Sequence, residues 1–269
     1  MLNEWFMNKF FLIAAVSMVQ AAVVSSQPTR LLKQSMELVV EVDGGNNGAA
    51  VVYHPQLKNY YAPFAGNQNF PVCVFSAAGK SLSTEDHATL ADMRGFWYNS
   101  KTKRLEGNGY NETGWIYYTL TDGLPTGYEP LQEGMQQPGP QCAGSYNALT
   151  NEVVFFDTDS VYWYDASTGK PKKAIDFAQW LNASKLDAAS RENYSSYSIL
   201  CTGVAGKEYA LLNVNRKRFE IFSKAGKLVE ILDIPESQSL YPAFNVGYAN
   251  KQFWLFDREA RIWNGYKWP

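Results

Sequence analysis

Two stretches of this 269-residue chain say nearly the same thing: Phe75-Ser-Ala-Ala-Gly-Lys-Ser-Leu82 and Phe222-Ser-Lys-Ala-Gly-Lys-Leu-Val229. They lie 222 − 75 = 147 residues apart. Between them sit two degenerate copies, Tyr118-Thr-Leu-Thr-Asp-Gly123 and Tyr164-Asp-Ala-Ser-Thr-Gly-Lys170, and near the end a truncated one, Trp263-Asn-Gly265. The turn glycines Gly79, Gly123, Gly169, Gly226 and Gly265 are spaced 44, 46, 57 and 39 residues apart. A unit of about 40–50 residues, each an aromatic strand end followed by a Gly-containing turn, predicts the blades of a β-propeller.

A second landmark keeps the same phase. Tyr53-His-Pro, Tyr98-Asn-Ser, Tyr146-Asn-Ala, Val204-Ala-Gly and Tyr248-Ala-Asn each end the first strand of a unit. Every unit then divides into short strands such as Asn59–Ala65, Glu152–Asp157, Ser160–Asp165 and Arg218–Ser223. Runs such as Val153-Val-Phe-Phe and Val161-Tyr-Trp-Tyr are β-branched and aromatic, bounded by Asn, Asp, Gly and Ser.

The last unit has three strands, near 243–248, 252–257 and 260–263. The strand Met36–Val42 before the first unit lacks a partner of its own. Ring closure by that strand completes the fifth blade and removes exposed sheet edge. The expected fold is therefore all-β: a five-bladed propeller of four-stranded blades. The long 57-residue interval holds Phe177, Trp180, Leu181 and Leu186 at helical spacing. This predicts a helical insertion near 177–190 between blades three and four, read as a cap on the ring, with a substrate lid as the other reading.

The strand–aromatic–small–Gly-Lys unit, as in Val74-Phe-Ser-Ala-Ala-Gly-Lys80, resembles that of secreted bacterial β-propeller repeat proteins of the broad NHL and YVTN type. The resemblance covers residues 36–269. It implies the fold and the habit of binding a ligand or partner on one face, and it carries no catalytic residue.

The first residues read as a leader. Met7-Asn-Lys9 precedes the apolar run Phe10–Val19, and small residues follow up to Ser26. Residues 1–26 are expected to be a signal peptide and 27–269 one propeller domain, placed outside the cell, in the periplasm or on the cell surface. No later stretch is apolar for long enough to span a membrane. The formal net charge of −2 lacks the basic footprint of a nucleic-acid binder. Three cysteines, Cys73, Cys142 and Cys201, do not make a disulfide framework. Cys142-Ala-Gly and Cys201-Thr-Gly are read as matching starts of first strands, and whether they pair is left open.

In a four-stranded blade the loops from strand one to two and from three to four lie on one face; those from two to three and between blades lie on the other. The second set is longer and richer in acids, amides, guanidinium groups and rings, which suits carbohydrate or peptide. Ligand-binding candidates there are Asp92, Arg94, Asn111, Trp180, Arg216, Tyr241 and Arg258. Only two histidines exist, His54 and His87, and His54 in its turn is expected at the surface. Neither a His-rich metal site nor a Gly-x-Ser-x-Gly elbow is present. Asp157-Thr-Asp159 and Asp257-Arg-Glu259 are weak calcium signals. No metal and no cofactor is expected.

The leading expectation is an exported, non-catalytic ring that binds a partner, a carbohydrate or a protein, on the long-loop face. The alternative is an enzyme, a carboxylate-pair glycoside hydrolase or lyase, drawing on Asp92, Glu112, Asp157 and Asp257.

Overall fold

The computed structural model describes residues 28–268 apart from 84–86 and 187; the expected leader at 1–26 lies outside them, as does Asp86. Five sheets stand around a central axis. Blade 2 runs Met93–Asn99, Arg104–Gly109, Trp115–Thr121 and Leu124–Gln132, and blade 3 runs Ser145–Asn147, Glu152–Asp157, Ser160–Asp165 and Pro171–Asp176. Each blade is sandwiched by its neighbours, so both faces of its strands are covered. This is why Val153-Val-Phe-Phe156 is apolar without alternation and buried throughout.

The repeated octapeptides build one hairpin twice. In the first, Ser76 N donates to the Lys80 carbonyl (2.8 Å) and Gly79 N to the Ser76 carbonyl (2.9 Å). In the second, Ser223 N donates to Lys227 (2.9 Å) and Gly226 N to Ser223 (2.8 Å). The glycine of each sits at positive φ, 81° and 74°, which is why this position is Gly in both. The truncated copy is different. Gly265 lies inside the strand Ile262–Lys267, where a Cβ would come within 2.8 Å of the Trp254 ring.

The ring closes as the strand count required. Lys33–Val39 pairs antiparallel with Ile262–Lys267, Leu38 opposite Trp263, and becomes the outermost strand of blade 5. It begins three residues earlier than the expected Met36–Val42. A further strand, Thr29–Leu31, adds parallel to Leu228–Asp233 and gives blade 4 a fifth strand. Blade 1 is the irregular one. Its inner strand breaks into Asn47–Gly48 and Val52–His54, and its fourth strand is reduced to a bridge between Phe75 and Ser81.

The insertion is a helix at Phe177–Ala183, capped by Asp176, whose carboxylate accepts from Ala178 N (2.7 Å), followed by a 3₁₀ turn at Ala188–Asn193. Phe177, Trp180 and Leu181 are buried in the core shared by blades 3 and 4. Among the described residues no helix is long and apolar enough to cross a membrane.

Small residues narrow the bore. A Cβ on Gly95 would lie 2.2 Å from Gly144 N, and one on Gly247 2.8 Å from Val51 N. A pocket of about 30 Å³ lies between the inner strands. The axis therefore narrows between its two mouths.

Candidate active site

The mouth on the long-loop face is built where the inner strands begin. Arg94, second residue of the blade 2 inner strand, is 5 % exposed. A guanidinium so buried needs partners for its donors. Asp92 supplies both carboxylate oxygens, one to Nη1 and one to Nη2 (3.1 Å). Gln141 Oε1 accepts from Nε (2.8 Å) and the Met93 carbonyl from Nη1 (2.8 Å). The rings of Tyr110 and Phe244 lie 4.6 and 5.6 Å from the guanidinium carbon, in cation–π range.

Blade 5 completes the other side. Phe244 and Asn245 both hold positive φ, 55° and 59°. Such a backbone is costly for a bulky ring and persists only where neighbours impose it. Asn245 does so: its Oδ1 accepts from Gly48 N (2.9 Å), and its backbone N donates to the Gly48 carbonyl (2.8 Å). Asn47 Oδ1 accepts from Asn245 Nδ2 (3.4 Å) and from Arg258 Nη2. Arg258 stacks 3.9 Å over Tyr241, and its buried Nε has no partner among the described residues.

Asp157 ends the second strand of blade 3 beside the interblade loop. A Cβ on Gly139 would sit 3.0 Å from its Oδ2, and its Oδ1 accepts from Thr158 Oγ1 (3.1 Å). Its charge, added to burial, pushes the Cys142 thiol up, burial being the larger cause. Thr158 N donates to the Ser196 carbonyl (3.1 Å) and Ser196 N to the Pro242 carbonyl (3.0 Å), which ties blades 3, 4 and 5 around the mouth. Asp92 and Gln141 thus meet on the Arg94 guanidinium, and Asp157 lies against Gly139 of the loop that carries Gln141. Among the described residues Asp92 is held by Arg94 and by Gly66 N, and the Asp157 carboxylate by the Thr158 hydroxyl.

Beside the mouth an open cleft of about 570 Å³ runs between blades 1 and 2. Asn67, Gln68 and Asn69 line one wall, Thr113 and Tyr128 the other, and Asp92 stands at its inner end. Gly66 N, at the start of the amide loop, donates to Asp92 Oδ1 (2.7 Å).

Of the residues singled out in the sequence, Asp92 and Arg94 are brought together, as are Tyr241 and Arg258, with Asp157 at the same mouth. Asn111 and Glu112 sit on the exposed 3₁₀ turn after Tyr110, outside it. Asp257 accepts from Glu259 N and Ala260 N (both 2.9 Å) and caps its own hairpin. Arg216 is exposed at a hairpin tip. Trp180, expected on the binding face, is 2 % exposed and packs inside the core: the helix turns its apolar stripe inward, and the indole goes with it. His54, expected at the surface, is 7 % exposed and its ring lies 4.8 Å from that of Tyr98. Cys142 and Cys201 do not match: the first precedes the inner strand of blade 3, the second ends that of blade 4, and both are free thiols. Sequence reasoning missed Asn47, Phe244 and Asn245. Their signal was position alone, each standing directly at the start of an inner strand.

Among the described residues no three His, Cys, Asp or Glu side chains gather as a metal cage. No family model matches the chain, and no curated protein matches it in sequence. Solved structures do. Glutaminyl cyclase of Myxococcus xanthus is 9 % identical over 90 % of this chain and 98 % of its own, with a TM-score of 0.56. Regucalcin of Agrobacterium tumefaciens, a calcium-binding protein, is 10 % identical over 90 % and 97 %, TM-score 0.52. A gluconolactonase of Xanthomonas campestris is 8 % identical over 90 % and 99 %, TM-score 0.50. At these identities the likeness shows the propeller fold. It also corrects the leading expectation: the propellers this chain resembles over nine-tenths of its length include a cyclase and a lactonase. The non-catalytic ring is therefore withdrawn as the leading expectation.

Proposed function

We propose that this chain is an enzyme that transfers a proton to or from a small polyhydroxylated substrate, in hydrolysis or elimination, at the long-loop mouth. One observation carries the reading. A single carboxylate, Asp92, is shared between the amide-lined cleft and the buried Arg94, whose Nε is held by Gln141, and a second carboxylate, Asp157, lies against Gly139 of the same interblade loop. The cleft offers amide donors and acceptors for hydroxyls. Asp92, locked by Arg94 and Gly66 N, supplies fixed negative charge where positive charge develops at the breaking bond. Asp157, without a cationic partner among the described residues, takes or gives the proton. Arg258, whose buried Nε–H has no partner among the described residues, is assigned to an oxygen of the substrate. The names cyclase and gluconolactonase, borne by structural neighbours, are consistent with bond-making and bond-breaking chemistry on such a ring.

The test is a turnover screen of aryl glycosides, sugar lactones and acidic oligosaccharides, with product followed by mass spectrometry. Turnover is expected for one class, falling by about 10²-fold or more in Asp157→Asn. Turnover that survives both Asp157→Asn and Asp92→Asn overturns the assignment. So does a substrate that binds in the cleft and is recovered unchanged.

A further inference from the structure

The opposite mouth holds a second cup. Its wall comes from one register position repeated around the ring. Tyr53 faces Tyr60, Tyr98 faces Leu105, Tyr146 faces Val153 and Tyr248 faces Phe253 across the first hairpin of their blades. In blade 4 the same position, opposite Tyr209, is Cys201. Four blades deliver a phenol ring and the fifth a small thiol. The missing ring leaves a cavity of about 210 Å³, lined by these five residues with Phe96 and Trp97. That is room for about seven waters at ~30 Å³ each, or one six-membered ring with its substituents.

The surroundings of the cup are charged. The hairpin turns that continue from these strands carry Lys58, Lys101, Lys103 and Lys251, all exposed. None of the four is in an ion pair among the described residues; the lysines that do pair are Lys172, Lys207 and Lys217. Three of them, Lys58, Lys103 and Lys251, hold positive φ, so the turn geometry fixes their backbone. An aromatic wall stacks on the C–H face of a sugar, and the Tyr98 and Tyr146 hydroxyls, which donate to Gln56 and Asn151, keep lone pairs that accept from its hydroxyl groups. A rim of unpaired ammonium groups selects for negative charge.

We propose that the short-turn mouth is a binding site for an acidic carbohydrate, with one uronic acid ring seated among the tyrosines and its carboxylate, or the next residue's, toward the lysine rim. The site lies at the other end of the axis from the long-loop mouth, with the tightly approaching inner strands between them. It stands whether or not the enzymatic reading does.

The probe is tri-galacturonate, titrated calorimetrically into the full chain, with maltotriose as the neutral comparator. One-site binding is expected for the acidic trimer. It should weaken by about tenfold or more when salt is raised from about 0.1 M to about 1 M, as the screening length falls from ~10 to ~3 Å. Cys201→Tyr gives blade 4 the ring that the other blades carry and should abolish binding by filling the cup. Lys101→Glu with Lys251→Glu changes only exposed turn residues, leaves the core intact and should cost binding about tenfold or more. No binding of tri-galacturonate overturns the proposal. Equal binding of maltotriose, or binding unchanged in the double lysine variant, overturns it as well.

Discussion

The Trp180 indole occupies the space that a side chain on Gly226 would need: a Cβ there would stand 2.1 Å from its Cδ1. Gly226 is the glycine of the second repeated hairpin. Trp180 is the centre of the inserted helix, stacked 5.4 Å from Tyr209 and tilted against Phe222 at 5.4 Å. The turn and the helix are thus fitted to one another, and Ser184 Oγ adds a bond from Leu228 N (2.8 Å). The helix is a packed cap. Trp180→Ala should cost about 3–5 kcal/mol in urea unfolding. Gly226→Ala should cost more than Gly206→Ala. Both positions hold positive φ, but nothing lies within 4 Å of a Cβ at Gly206. Gly206→Ala pays the conformational penalty of about 1 kcal/mol alone; Gly226→Ala adds overpacking of about 1–3 kcal/mol. Equal losses would mean that the helix yields.

Arg94 makes a different demand. Its side chain is 6 % exposed and that of Asp92 26 %. Asp92→Asn leaves a buried cation with weaker partners. Breaking a fully buried pair costs about 3–5 kcal/mol; with Asp92 a quarter exposed, water takes up part of the loss and about 2 kcal/mol is expected. Arg94→Met with Asp92→Asn should recover much of it, since no charge is then stranded. A double-mutant cycle in denaturant measures the coupling. A cycle near zero would show that the pair is held by its surroundings instead of holding them.

What could be read from the sequence followed from periodicity. The glycine spacing located four of the five hairpins, and the unpartnered apolar strand before the first blade implied closure. Where a landmark failed, packing had replaced a turn. Gly265 continued the series of glycines but serves as a slot for Trp254 within a strand. The landmark spacing puts the blade 4 counterpart of the tyrosines at Val204. The chain instead puts Cys201 there, a residue with no aromatic signal to mark it. Trp180 showed the same limit: its position on an amphipathic helix was legible, and which way the stripe faces was not. Site residues such as Phe244 and Asn245 depend on left-handed backbone imposed by Gly48, 197 residues away from Asn245, and no local pattern encodes that.

Closure gives the strongest stability prediction. Leu38 is fully buried opposite Trp263 in the outermost pair of blade 5. Leu38→Asp places a carboxylate in that apolar layer without a cation, at a cost of several kcal/mol. Starting the chain at residue 40 removes the whole strand and exposes the edge Ile262–Lys267, so insoluble protein is expected. Ser35→Ala is the mild control. It removes hydroxyl bonds to Gln252 and to the Gly265 carbonyl (3.1 Å) at the strand margin, worth about 1 kcal/mol. A soluble, cooperatively melting protein that starts at residue 40 would refute closure as the source of ring stability.

His54 links stability to pH. Burial holds its imidazole below the ordinary value of 6.5, while backbone hydrogen bonds at Lys103 and at His54 itself work the other way. Its Nδ1 accepts from Leu57 N (3.3 Å), so the neutral form also fixes the turn into the lysine rim. The unfolded chain takes up the proton first. The contribution of His54 is therefore fully present above about pH 6.5 and is lost as pH falls from there through the lower folded value. His54→Asn keeps an acceptor for Leu57 N and cannot titrate. Melting temperatures measured at about pH 7.5, 6.5 and 5.5 should fall more steeply for the native protein than for His54→Asn, the carboxylates being common to both. Parallel slopes would show that the folded chain admits the imidazolium at no cost, and that Tyr98 and the turn do not shield it from water.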